Sequence, residues 1–215
     1  MCKMSANARR QRGLTIIELV MFIVIVGIAA AALVQVMNLA NRNSTDPLRR
    51  KQALLIAEAY MEEVQQAPFT VCDPQDANAA TATVPGQCAD ANLEENAQHF
   101  GPEPTNSRPY DNINDYVLSN QYVVGDAVRA FAVADSSGNL VDTDVAGNPL
   151  GAGTVGATLS GITTTLALNP VTTLGNLNST LQNMTVMRIT ITTTYGPGQS
   201  VTLEGYRTRY APEAR

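Results

Sequence analysis

Hydrophobic and polar positions are distributed very unevenly along this chain. Residues 14–34, LTIIELVMFIVIVGIAAAALV, are apolar at nearly every position and carry one charge, Glu18. Such a run predicts a helix about 32 Å long, apolar on all sides and long enough for the hydrocarbon core of a bilayer. The stretch before it, MCKMSANARRQRG, holds Lys3, Arg9, Arg10 and Arg12 and no acid. A basic flank predicts insertion with the N-terminus on the cytoplasmic side. Residues 38–46 then turn polar, and Asp46-Pro47 reads as the N-cap and first position of a new helix, or, if Asn41 to Asp46 is only a kink, residues 14–66 form one rod of about 80 Å. Over residues 47–66, Leu54, Ala57, Met61 and Val64 recur at helical spacing, and Ile56 and Tyr60 widen the stripe. Arg49, Arg50, Lys51, Glu58, Glu62 and Glu63 fall mostly outside it. This stripe predicts a helix packed against the rest of the molecule and ended by Pro68.

Residues 68–120 show neither period and are rich in Asp, Asn, Pro and Ala, the composition of loops. From about residue 120 the chain shifts to Val, Thr, Ile, Gly and Asn. Short strands are expected at residues 121–124, 129–134, 139–144, 154–160 and 162–168. The clearest strand signal is at the end. TVMRITITTTY (185–195) alternates, GPGQS (196–200) supplies a turn, and VTLEGYRTRY (201–210) alternates again, which predicts a β-hairpin. In it Val201 and Leu203 share one face, and Glu204 and Tyr206 belong to a polar face with Thr208. The expected fold is α+β, with a long N-terminal helix packed through its amphipathic half on a mainly antiparallel sheet.

Composition narrows the chemistry. The formal net charge is −5 and charged residues are 15% of the chain. No basic patch or stripe of the kind that binds nucleic acid is visible beyond the short N-terminal flank. His99 is the single histidine, which excludes a multi-His metal site and most His-dependent acid–base schemes. His99 itself reads as a loop residue. No phosphate loop, nucleophile elbow or triad spacing is present, so no enzyme activity, cofactor or metal is expected. Asp142-Thr143-Asp144-Val145-Ala146-Gly147-Asn148 begins like a calcium loop. However, Ala146 occupies a ligand position and Gly153 stands where the terminal Glu belongs, so a polar turn is expected. Asp73, Asp76 and Asp90 form a second acidic group that a disulfide would draw together.

Three readings fit the N-terminal segment. As a secretory signal peptide it has a basic start, an apolar core and small residues at Ala29–Ala32, but its apolar run is long and contains Glu18. As a plain anchor it bears Glu18 at a cost, since a central acid opposes insertion by about 2.5–3.5 kcal/mol. The third reading gives Glu18 a purpose. Gly13-Leu14-Thr15-Ile16-Ile17-Glu18-Leu19-Val20 resembles the class III signal of type IV prepilins and type II secretion pseudopilins, with Leu14 in place of the commoner Phe. That resemblance implies cleavage after Gly13 by a prepilin peptidase, N-methylation of Leu14 and retention of the helix in the inner membrane. It further implies packing of the helix with other major and minor pilins, aided by an inner-membrane assembly platform. Cleavage would place an amine four residues before Glu18. A buried carboxylate requires a cationic partner, and pairing Glu18 with a neighbour's Leu14 amine would set subunit register.

A second stretch narrows the resemblance. Asp46-Pro47, Arg50-Lys51-Gln52-Ala53-Leu54, Ala57 through Val64 (AEAYMEEV), Pro68-Phe69 and Cys72-Asp73-Pro74 are similar to MSHA-type (mannose-sensitive haemagglutinin) minor pilins. They are less similar to the smaller minor pseudopilins. Major pilins usually carry a Pro early in the apolar helix, whereas here the next Pro is Pro47, which favours a minor subunit. The implied organisation is a cleaved leader (1–13), a transmembrane and filament-core helix with its junction (14–45), an amphipathic helix (46–67) and a β-rich head (68–215). Losing the leader removes Cys2 and leaves Cys72 and Cys88 on the oxidising side, where a disulfide would contribute about 3 kcal/mol in the chain-entropy account. The implied location is the inner membrane and then the pilus. A pseudopilin of type II secretion and a tip adhesin are the competing functions.

Overall fold

The computed structural model describes residues 15–104, 106–117, 122–151, 159, 161–175 and 177–209. The fold is α+β, with one long helix and antiparallel sheets. Helix α1 spans Ile16–Gln66. The chain divides into two compact units, Met1–Pro47 and Leu48–Arg215. The helix assignment is continuous through Pro47, so the fresh start expected at Asp46-Pro47 is not a helix start. A proline inside a helix removes one hydrogen bond and crowds the preceding turn without necessarily ending the element.

In the second unit the Leu48–Gln66 part of α1 buries Ala53, Ala57, Tyr60, Met61 and Val64. Leu54 and Ile56 are half-buried at the edges of the stripe. The helix packs on a three-stranded antiparallel sheet in the order β3-β6-β7, formed by Thr163–Pro170, Val186–Gly196 and Gln199–Thr208. Ile189 and Ile191 of β6 and Leu166 and Leu168 of β3 join Tyr60, Met61, Val64, Phe69, Tyr116 and Phe131 in one core. Each such large apolar side chain contributes about 1.5–3 kcal/mol when fully buried. Hydroxyls also enter the sheet: buried Thr164 and Thr193 lie 3.1 Å apart and satisfy one another.

The terminal hairpin forms as its alternation predicts. Val201 and Leu203 are half-buried, and Thr202, Glu204, Tyr206 and Thr208 are exposed. Its turn is tighter than the five-residue segment read from the sequence. Pairing continues to Gly196 and Gln199 after an irregularity at Thr194/Gly196, leaving Pro197 and Gly198 at the tip. Gly198 adopts φ 68°, a region that glycine enters freely.

Two smaller hairpins lie outside the main sheet. β1 (Ala132–Ala134) pairs with β2 (Leu140–Asp142), and β4 (Thr173–Leu174) pairs with β5 (Leu177–Asn178). The strand expected at 121–124 is absent over Tyr122–Val124, which is loop, and Gln121 lies outside the described residues. The Tyr122 hydroxyl accepts from the Leu168 N–H (2.9 Å) and donates to the Asp126 carbonyl (2.9 Å). A side chain thus occupies a ladder position that a strand would have filled. The expected strand at 154–160 falls outside the described residues except for Leu159, which is in a turn.

At Gly205 the sheet leaves no room for a side chain beneath the helix. A Cβ at this position would run into the Gln65 side-chain amide and lie 2.9 Å from the Met61 Sδ, well inside ordinary contact. Met61 is buried and has little room to retreat. Gly205→Val is therefore expected to cost about 2 kcal/mol and lower the melting temperature by about 4–8 °C. A thermal melt of the full chain in detergent checks this, and an unchanged Tm would mean that the helix yields freely.

Candidate functional site

The N-terminal part of α1 has the chemistry singled out by the sequence. Ile16–Asn38 is long and apolar enough to cross a membrane, with a mean hydropathy of 2.8. Every side chain from Thr15 to Asn38 is exposed within this chain. A helix that presents Leu, Ile, Val, Met and Phe on all sides requires an apolar environment, either lipid or other helices.

The start of this helix is built by Thr15. Its Oγ1 accepts from the Glu18 N–H (3.4 Å), and its carbonyl accepts from the Leu19 N–H (3.1 Å). Thr15 is thus the N-cap and Glu18 the third helical residue, the spacing of a Thr-x-x-Glu capping box. The sequence carried this signal in plain view, though the motif reading above explains Glu18 by pairing alone. In the first turn Glu18 also faces the positive end of the helix dipole, worth about 0.3–1 kcal/mol. Its carboxylate is therefore compatible with a helix start at the very place where a cationic group would meet it. Gly13 and Leu14, the residues flanking the expected cleavage, lie outside the described residues.

In the second unit Cys72 and Cys88 are joined by a disulfide, with their Cα atoms 5.6 Å apart. Val71, Cys72 and Ala82 form a small buried cluster beside it, with Ala79 and Cys88 packed against them. The acids near the bridge do not converge as a group of Asp73, Asp76 and Asp90. Asp76 accepts from the backbone N–H of Asn78 (2.7 Å), Ala89 (3.0 Å) and Asp90 (2.9 Å), which holds its carboxyl below the usual range. Asp90 caps the short 3-10 turn Ala91–Leu93 by accepting from the Asn92 N–H. Asp73 instead faces Glu103, Asp111 and Asp115.

The Asp142–Asn148 segment runs from the last residue of β2 into a turn, and its two acids are already engaged. Asp142 pairs with Arg129 (2.6 Å) and accepts from the Thr164 N–H (2.7 Å). Asp144 accepts from the N–H groups of Ala146 (2.9 Å) and Asn148 (2.8 Å). Half-buried His99 places Nδ1 2.9 Å from the Glu94 carbonyl.

Glu63, placed by its spacing off the apolar stripe, is half-buried. Arg108 grips it with two parallel bonds, Nε to Oε1 (2.6 Å) and Nη2 to Oε2 (2.7 Å). Both side chains are 12% exposed. Arg108 Nη1 also donates to the Thr143 carbonyl (2.9 Å), as does the Tyr60 hydroxyl (2.8 Å). The guanidinium lies 5.1 Å from the Phe131 ring centre, and Phe131 stacks on Tyr60 at 3.9 Å. Burial opposes the Arg108 charge, but Glu63 outweighs it, and the net effect raises its pKa. Helix position alone put Glu63 beside Glu62 on the polar side; its partner is 45 residues away, which no local period can show.

No curated protein and no solved structure matches the chain. Residues 8–34 match the family described as the prokaryotic N-terminal methylation motif, and with Glu18 in the first turn of an exposed apolar helix this chain carries the class III signal of type IV pilin-like and pseudopilin-type proteins.

Proposed function

We propose that this chain is a minor pilin of the MSHA type, a structural subunit that takes part in pilus initiation, assembly or tip formation. The observation that carries this reading is the methylation motif at residues 8–34 running into a helix whose whole apolar circumference is exposed. A prepilin peptidase cleaves after Gly13 and methylates Leu14. Glu18 then pairs with the Leu14 amine of a neighbour, which satisfies the carboxylate inside the filament and sets axial register. The basic group Lys3, Arg9, Arg10 and Arg12 supports an N-in orientation, with the head outside the cytoplasm. The disulfide between Cys72 and Cys88 suits that oxidising side. The role is structural rather than enzymatic, and energy for assembly comes from the inner-membrane platform.

The test is the mass of the mature N-terminal peptide, from membranes and from sheared surface filaments, with and without the prepilin peptidase. The expected peptide begins at N-methylated Leu14, appears in both fractions and disappears in the peptidase knockout. A start between about Ala30 and Asn41, as a conventional signal peptidase would leave, overturns the filament reading. A methylated peptide confined to the membrane fraction replaces the pilus by the pseudopilus of type II secretion.

A further inference from the structure

The head contains a group of acids that none of the readings above uses. One carboxylate oxygen from each of Asp73, Glu103, Asp111 and Asp115 lies within 4.8 Å of the others. Asp73 and Asp115 are fully buried, and Glu103 and Asp111 are half-buried. In each of the two buried acids one oxygen is fastened. Asp73 Oδ1 accepts from the Gln75 N–H (2.6 Å), and Asp115 Oδ2 accepts from the Asn112 N–H (3.0 Å). The other oxygen of each, Asp73 Oδ2 and Asp115 Oδ1, is buried with no hydrogen-bond donor. A buried oxygen without a partner costs as much as a lost hydrogen bond, and more when it is charged.

Glu95 is a further buried acid of the head, 2% exposed, and its Oε2 has no donor. Burial first, and then the charges of Asp115, Glu103 and Asp73, hold its carboxyl well above the usual range. Among the described residues, none of these acids pairs with a Lys or Arg side chain. The Arg209 guanidinium donates to the Glu95 backbone carbonyl (3.0 Å) and to Asn183 (2.9 Å). Arg108 is committed to Glu63.

Asn106 sits between three of the acids. Its amide nitrogen donates to Asp111 Oδ1, to Asp115 Oδ2 (3.1 Å) and, weakly, to Glu103 Oε2 (3.5 Å). Two amide hydrogens cannot satisfy three carboxylates. Turned about its Cγ, the same amide presents an oxygen.

We propose that Asp73, Glu103, Asp111 and Asp115 form a calcium site that ties the disulfide loop to the 103–115 segment. The donors are all hard oxygens, which selects Ca²⁺, Mg²⁺ or Mn²⁺ over thiolate- and imidazole-seeking metals. Asp73, Glu103 and Asp111 come from irregular backbone, Asp115 comes from the 3-10 turn Ile113–Tyr116, and two of the four groups are only half-buried. This suits the six to eight ligands and flexible geometry of Ca²⁺ better than the strict octahedron of Mg²⁺. Asp73 directly follows Cys72, whose backbone bridges to Glu94. A bound ion would therefore fasten this stretch to the loop that leads into the 3-10 turn Ile113–Tyr116. The inference is independent of whether the filament is a pilus or a pseudopilus.

Terbium luminescence on the full chain in detergent tests it. The protein has no Trp, so sensitised emission must come from tyrosine, and Tyr110 and Tyr116 adjoin the ligands Asp111 and Asp115. The expected result is saturable Tb³⁺ emission that Ca²⁺ displaces, with Mg²⁺ at least about tenfold less effective. Calcium at about a hundredfold excess over its Kd is expected to raise Tm by about 5–10 °C relative to a chelator. D73N and D115N are each expected to weaken binding by at least about tenfold. D144N, in an exposed turn, leaves it unchanged. Should D115N fail to fold, the pair E103Q and D111N at half-buried positions provides the same readout. Absence of a saturable, Ca²⁺-displaced signal overturns the site. So does a signal that survives in both D73N and the E103Q/D111N pair, and equal displacement by Mg²⁺ overturns the calcium assignment.

Discussion

Glu18→Ala is expected to leave the chain in the membrane but reduce its amount in sheared filaments by about a hundredfold or more. The size follows from the proposed pairing. A cationic amine and a carboxylate buried together are tolerable, but removing one partner strands the other at about 3–5 kcal/mol. The structure supplies a competing role for the same side chain. Glu18 occupies the third helical position after the Thr15 cap, where an acid gains about 0.3–1 kcal/mol from the helix dipole. The two roles separate experimentally. Glu18→Gln keeps the side chain's size and hydrogen-bonding capacity but removes the charge, and is expected to behave like alanine if pairing matters. Thr15→Val removes the cap and leaves the carboxylate, and is expected to cost about 1 kcal/mol of helix stability with filaments largely retained. Quantifying the subunit in sheared filaments against its membrane level checks all three. Normal filament levels in Glu18→Ala would sink the register role.

Glu63→Ala is expected to be the most damaging single substitution in the head. It removes the carboxylate that Arg108 grips through two bonds and leaves a guanidinium 12% exposed without its counter-charge. Breaking such a pair costs about 3–5 kcal/mol, which for a domain of this size lowers Tm by about 10 °C or more. The Tyr116 hydroxyl, which donates to Glu63 Oε1 (3.2 Å), loses its partner at the same time. Arg108→Met in the Glu63→Ala background is expected to recover much of the loss, because the stranded charge rather than the missing bond dominates. Thermal melts of the wild type, both single variants and the double variant check this. Equal and additive losses would show that the pair acts as two separate contacts. The sequence similarity noted above covers Glu62-Glu63 but says nothing of what either acid touches.

The legible parts of this protein share a local cause. A helix that is apolar on every side is recorded in consecutive residues from Leu14 to Val34, and a terminal hairpin is recorded in the alternation of 185–195 and 201–210. The amphipathic stripe of residues 47–66 was readable because burial there follows the period of 3.6. Where the reading failed, long-range partners had intervened. Tyr122 caps a strand 46 residues later in the chain and so keeps Tyr122–Val124 out of the sheet. Glu63, read as lying off the apolar stripe, is drawn in by Arg108 from 45 residues away. Pro47 marked a helix boundary by local rules and lies inside α1 instead.

The chain's own order of residues determined that a membrane-length helix precedes an α+β unit with two cysteines and that Glu18 is placed in that helix's first turn. Those features depend on spacing within a few residues, where periodicity and charge are sufficient. Only the tertiary structure decided which acids meet. Asp76 and Asp90 were the nearer neighbours of Asp73 along the chain, yet backbone amides took them up. Glu103, Asp111 and Asp115 came to Asp73 across a loop without any period. Charge clustering of that kind is set by how irregular backbone closes around the core, and such closure leaves no repeating mark in the sequence.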